Sequence, residues 1–139
     1  MLALTGIEQN AKNSNHIYKN KSNNAAVWLG SIDDLWKFGK PVGIGGPWKN
    51  TKVNANQLSD PYLMTGYDKK TLKLIADKDV TVSIWLDIAH YLNENVKYKE
   101  IQLKVGKEVT YEFPEAFSAH WVQLSTDKDC NATATFIYE

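Results

Sequence analysis

The sequence predicts a single all-β domain: an antiparallel two-sheet β-sandwich, jelly-roll or Ig-like, preceded by a short N-terminal hairpin and helical segment. Three observations predict it. From Trp48 onward apolar and polar residues alternate with period two, the mark of strands that bury one face. The breaks in that alternation carry turn-forming residues. No apolar stretch of helical period and roughly ten residues or more lies between the runs, so strands rather than helices must cover the sheets.

At 139 residues the chain is one ordinary domain. A domain of this size buries roughly two-thirds of the surface its unfolded chain exposes, so it needs no disulfide or metal. None can form internally, since Cys130 is the only cysteine.

Residues 1–15 are polar, with Gln9, Asn10, Asn13 and Asn15, and predict a loose arm. Two β-favouring runs, His16 to Tyr18 and Ala25 to Ile32, flank the turn residues Lys21-Ser22-Asn23-Asn24 and predict a hairpin. Ser31 can cap a helix whose first turn holds Asp33 and Asp34, and Gly39 and Pro41 stop it near Phe38. Gly39, Pro41, Gly43, Gly45, Gly46 and Pro47 predict a linker over 39–47. The Gly43-Ile44-Gly45-Gly46 run lacks the leading strand, following helix and Lys-Ser/Thr pair of a phosphate loop. The organisation therefore reads as arm, hairpin and helix over 1–38, linker over 39–47 and sandwich over 48–139. Within the sandwich the inward sets are Leu72, Leu74, Ala76; Val80, Val82, Ile84, Leu86; Ile101, Leu103, Val105; Val109, Tyr111, Phe113; Val122, Leu124; and Ala132, Ala134, Phe136, Tyr138. Asp77-Lys78-Asp79, Asn93-Glu94-Asn95, Gly106-Lys107 and Asp127-Lys128-Asp129 make the turns.

The formal net charge is zero, and every basic side chain is a lysine. Without a basic patch, and without the planar fork of arginine, nucleic acid is not an expected partner. No cationic start precedes a long apolar stretch, so no secretory signal is expected within this chain, and localisation stays open. No window approaches the roughly 20 apolar residues of a spanning helix; the chain reads as soluble, with no membrane insertion.

Several long runs carry a resemblance: Ile32-Asp33-Asp34-Leu35-Trp36-Lys37, Gly45-Gly46-Pro47-Trp48, the stretch from Ser59 to Lys70, Phe117-Ser118-Ala119-His120-Trp121-Val122, and the ending Ala134 to Glu139. In these the chain from Trp36 to Glu139 resembles a family of uncharacterised bacterial C-terminal β-sandwich modules, found in relatives after a β-propeller-like body. The resemblance implies that residues 16–36 are like the tail of such a body, that the chain is a short or truncated form, and that its context is exported. It departs from the family at Gln123, where relatives carry arginine, and in a shorter, less acidic hairpin over 88–95.

Residues that could carry chemistry are thin. The carboxylates Asp33, Asp34, Asp60, Asp87, Asp127 and Asp129 fall at a helix start, in turns or singly, not as a flanking pair for glycoside hydrolysis. Cys130 reads as a small buried residue. His120 shares the inward parity of Val122 and reads as a hydrogen-bonded histidine rather than part of a triad. There is no zinc pattern, so no cofactor is expected, with calcium at the Asp77–Asp79 or Asp127–Asp129 turns as the alternative.

What remains is aromatic. Trp85 has outward parity, and Asp87, His90, Tyr91 and Tyr98 lie near it in sequence, the equipment for stacking on a sugar and reading its hydroxyls. Trp121 also has outward parity, and the linker around Trp48 is expected to pack on it. The leading expectation is a bacterial, non-catalytic accessory module for docking, with no enzyme activity of its own and a homodimer or docking partner engaged through residues 16–32. The alternatives are a carbohydrate-binding module and, more remotely, part of a glycan-acting hydrolase.

Overall fold

The computed structural model describes residues 1–7, 11–12, 14–22, 24–88 and 95–139. It is nearly all β and divides into two compact units, Met1–Gly39 and Lys40–Glu139.

In the first unit β1 (Leu2–Leu4), β2 (Ile17–Lys19) and β3 (Ala26–Gly30) form an antiparallel sheet in the order β1-β3-β2. The hairpin β2–β3 is the expected one. The loose arm is not wholly loose, because Leu2 to Leu4 pair with Gly30 to Trp28. A three-residue strand leaves too little alternation to be recognised from sequence. Trp28 sits between His16 and Phe38, each ring 5.3 Å away. Gly30 admits it, since a Cβ there would meet the indole at 2.3 Å. Past β3, Ile32–Phe38 form a 3₁₀ helix. Ser31 stands at its N-cap as expected, and Asp34 closes the capping box, its carboxylate accepting from the Ser31 amide at 2.9 Å and the Ser31 hydroxyl at 2.8 Å. The hydrogen bond from Lys37, then those from Ser31, hold the Asp34 carboxyl well below its ordinary range. Gly39, at φ +84, ends the helix where a side chain would be strained.

The second unit is a sandwich of two four-stranded antiparallel sheets. One has the order β4-β11-β6-β9 (Gly43–Val53, Cys130–Tyr138, Lys70–Ala76, Val109–Glu112). The other has the order β5-β10-β7-β8 (Tyr62–Leu63, Trp121–Thr126, Val80–Asp87, Asn95–Leu103). The alternating sets meet between the sheets, with Leu72, Val82, Ile84, Leu124 and Phe136 fully buried, except that Val105, expected inward, lies past the end of β8 and is exposed. Aspartates lock the turns: Asp77 accepts from the Asn131 amide, Asp79 from Val105, Asp127 from Thr81 and Asp129 from Ala55.

The linker expected over 39–47 is corrected at its C-terminal half, because β4 begins at Gly43 and pairs Gly43 with Tyr138 and Gly45 with Phe136. Local logic reads Gly-Gly-Pro as a breaker, but here it serves long-range packing. The register shifts twice along β11, and each shift gives β4 an extra residue. Gly46 and Pro47 lie in one such bulge, where a missing N–H is harmless. Trp48 itself lies in the core between the sheets, at 6 % exposure.

Burial pushes the Tyr111 hydroxyl up to about 12, helped by its hydrogen bond with Tyr98, and raises Tyr138 as well. A phenol whose folded pKa exceeds its unfolded one stabilises fully below the unfolded value of 10.0 and loses that contribution as pH climbs toward the folded one. Lys70 acts in the opposite sense: burial lowers it from 10.5, so its contribution to stability grows as pH rises toward that value. Urea midpoints are therefore expected to fall steeply above pH 10. Midpoints unchanged between pH 10 and about 12 would show that the phenols are not held protonated by the fold.

Candidate functional site

Alternation that buries Ile84 and Leu86 sends Ser83, Trp85 and Asp87 to the outer face of the β5-β10-β7-β8 sheet. Strand pairing then sets rows across that face: Trp121, Asp87 and Asn95; Gln123, Trp85 and Lys97; Ser125, Ser83 and Glu100. The result is a polar surface with two indoles in it.

The side chains hold one another. The Trp85 indole N–H donates to Ser125 Oγ at 2.9 Å, which fixes the ring. Lys97 Nζ lies over the indole, 5.2 Å from the centroid, and donates to Glu100 at 2.8 Å. That hydrogen bond and charge pull Glu100 below the ordinary carboxylate range, opposed by the nearby Asp127. Gln123 bridges the face, accepting from Asn95 Nδ2 at 2.8 Å and donating to the Ser59 carbonyl at 2.7 Å. Gln123 thus ties the segment before β5 to β8. Thr81, Ser83, Trp85, Lys97, Glu100 and Asp127 line a depression of about 310 Å³.

Of the residues expected at the site, Trp85 lies in the wall of this depression, half-buried. Asp87 shares its outward face but lies in the next row, and its carbonyl accepts from the His120 amide at 2.9 Å. His90 and Tyr91 fall outside the described residues. Tyr98 is turned away from Trp85, because a register irregularity between Ile84 and Trp85 reverses its parity. Its ring meets Phe117 at 4.9 Å and Phe113 at 6.2 Å, and its hydroxyl meets that of Tyr111 at 3.0 Å. Lys97, Glu100, Ser83 and Ser125 were not singled out from sequence, and Asp127 was weighed there only as a turn carboxylate and an alternative calcium ligand. The outward parity of the two serines was available there, but their meeting across β10, β7 and β8 needs the strand register.

The other chemical expectations resolve locally. His120 is exposed rather than inward, since β10 starts only at Trp121. Cys130 is buried, and burial raises its thiol pKa. Among the described residues no group of three or more His, Cys, Asp or Glu is placed to hold a metal ion, and no helix is long and apolar enough to cross a membrane.

A second surface lies in the first unit. Among its described residues Trp28 alone is buried, while Ile32 is 71 % and Trp36 85 % exposed. Tyr18 and Phe38 are exposed as well.

Compared with known protein families and with curated proteins, the chain finds no match.

Proposed function

We propose that the protein is a non-catalytic accessory module, a rigid sandwich carrying a docking segment for a protein partner. The observation that supports this reading is the composition of the first unit. A piece of chain below roughly 40 residues rarely supplies its own core. This one buries a single tryptophan among its described residues and leaves Ile32 and Trp36 in solvent. Exposed large side chains are ordinary when scattered, but close together on one short helix they favour contact with another surface. The short edge strands β1 and β2 pair with no further strand among the described residues, which leaves two edges for a partner strand.

The first partner to test is a second copy of the chain, engaged through the β2–β3 hairpin and the helix after it. Sedimentation velocity over a range of concentrations is expected to show self-association that disappears in Ile32→Ser/Trp36→Ser. Both side chains are exposed, so the variant should melt as the parent does. A monomer at every concentration would remove the second copy as the partner.

A second reading is favoured by the face around Trp85: the sandwich also binds carbohydrate. An aromatic ring whose orientation is locked, surrounded by hydroxyl, carboxylate and ammonium groups, suits a ring with one apolar face and many hydroxyls. The two readings use different surfaces and do not compete.

A further inference from the structure

We propose that the depression on the outer face of β10, β7 and β8 takes one neutral pyranose unit, stacked on Trp85, and that Lys97 is a displaceable cover over that ring; this rests on the carbohydrate reading above. The indole cannot turn to meet a ligand, because its N–H is committed to Ser125 Oγ at 2.9 Å. What it offers is its face, and Lys97 Nζ lies over that ring, 5.2 Å from the centroid. Among the described residues the lysine's one anchoring ion pair is with Glu100, at 2.8 Å between two side chains that are about half exposed. Such a pair is weak enough to open at small cost. Once Lys97 swings aside, the uncovered ring can take the C–H face of a sugar.

The lining supplies the rest. Glu100 and Asp127 become hydroxyl acceptors, and Ser83 can donate or accept. Asp127 accepts from the Thr81 amide through Oδ1, and among the described residues no hydrogen bond occupies its Oδ2. At about 310 Å³ the space is at the small end for ligand sites, which start at roughly 300 Å³, so it suits one ring rather than several. The two carboxylates also set the sign. An acidic sugar would bring its carboxylate against Glu100 and Asp127, with a single lysine already paired.

The test is calorimetric titration of the whole chain with cellohexaose, xylohexaose, mannohexaose and maltohexaose, with oligogalacturonate beside them. At least one neutral glycan is expected to bind, and oligogalacturonate is not. Trp85→Ala is expected to weaken binding about tenfold. Lys97→Ala is expected to strengthen it about threefold, because the cation–π contact no longer has to be broken. That opposite sign is what a cover predicts and a simple lining residue does not. The Trp85 indole N–H resonance, followed in the unaltered protein, should shift on titration and keeps the result independent of how Trp85→Ala folds. If Lys97→Ala weakens binding, Lys97 is a ligand contact, and the cover is overturned while the carbohydrate reading stands. If no neutral glycan binds up to millimolar concentration, or if binding ignores Trp85, the carbohydrate reading falls with it. Binding of oligogalacturonate with equal affinity would overturn the preference for a neutral sugar.

Discussion

Gly46→Ala is expected to destabilise the sandwich by about 3 kcal/mol or more and to lower the melting midpoint by about 10 °C. A Cβ at Gly46 would fall 1.8 Å from the Ala134 carbonyl oxygen and 2.8 Å from its carbon. Both are backbone atoms of β11, the strand between β4 and β6, so neither can step aside without disturbing two strand pairings. The Gly46 carbonyl is also held, accepting from the Tyr62 hydroxyl at 2.7 Å. Gly43, in the same run of sequence, supplies the control. Its added Cβ would meet Tyr67 Oη at 3.5 Å and Tyr138 at 3.6 Å, ordinary contact distances. Gly43→Ala is therefore expected to leave the midpoint nearly unchanged, or to raise it by restricting the unfolded chain. Equal effects at the two positions would mean that the run behaves as a plain linker.

Phe136→Ala carries the largest expected cost, about 3–5 kcal/mol, because it opens a cavity where the structure is least able to collapse. Phe136 is at 0 % exposure. Its ring lies within a line of aromatic contacts, 6.1 Å from Tyr62 and 5.8 Å from Tyr138, which in turn stacks on Tyr67 at 4.5 Å. Tyr62 belongs to the opposite sheet, so the phenylalanine ties the two layers together. Phe136→Leu keeps most of the volume and is expected to cost less than half as much, about 1.5 kcal/mol. Chemical denaturation of both variants measures the difference. A loss below about 1 kcal/mol for Phe136→Ala would contradict the placement of this ring at the centre of the core.

These residues also mark what was legible in the sequence. The sandwich was, because β6, β7 and β11 each present an unbroken alternation and a strand with one buried face cannot hide it. The start of β4 was not. Glycine and proline break strands by local rules, whereas Gly46 is demanded by a backbone distant in sequence and Pro47 is allowed by a bulge. His120 was misplaced for a related reason, since parity was extended past the end of β10.

The candidate site was legible in part. Outward parity alone picked out Trp85, and the structure keeps it on the outer face. It could not reveal that β8 slips beside it, turning Tyr98 toward Phe113 and Phe117 and bringing Lys97 over the indole. Nor could it bring Ser125, Ser83 and Glu100 into one row, because register across three strands is set by pairings that no single strand carries.

The docking proposal makes the first unit depend on something beyond its own side chains. Amide hydrogen exchange, followed separately over residues 1–39 and 40–139 in the dilute monomer, tests this most directly. Amides of β1, β2 and β3 are expected to exchange orders of magnitude faster than those of β6, β7, β10 and β11, which should approach the protection of global unfolding. Protection of residues 1–39 equal to that of the sandwich would contradict it, since a segment already stable in the free protein has no need of a partner.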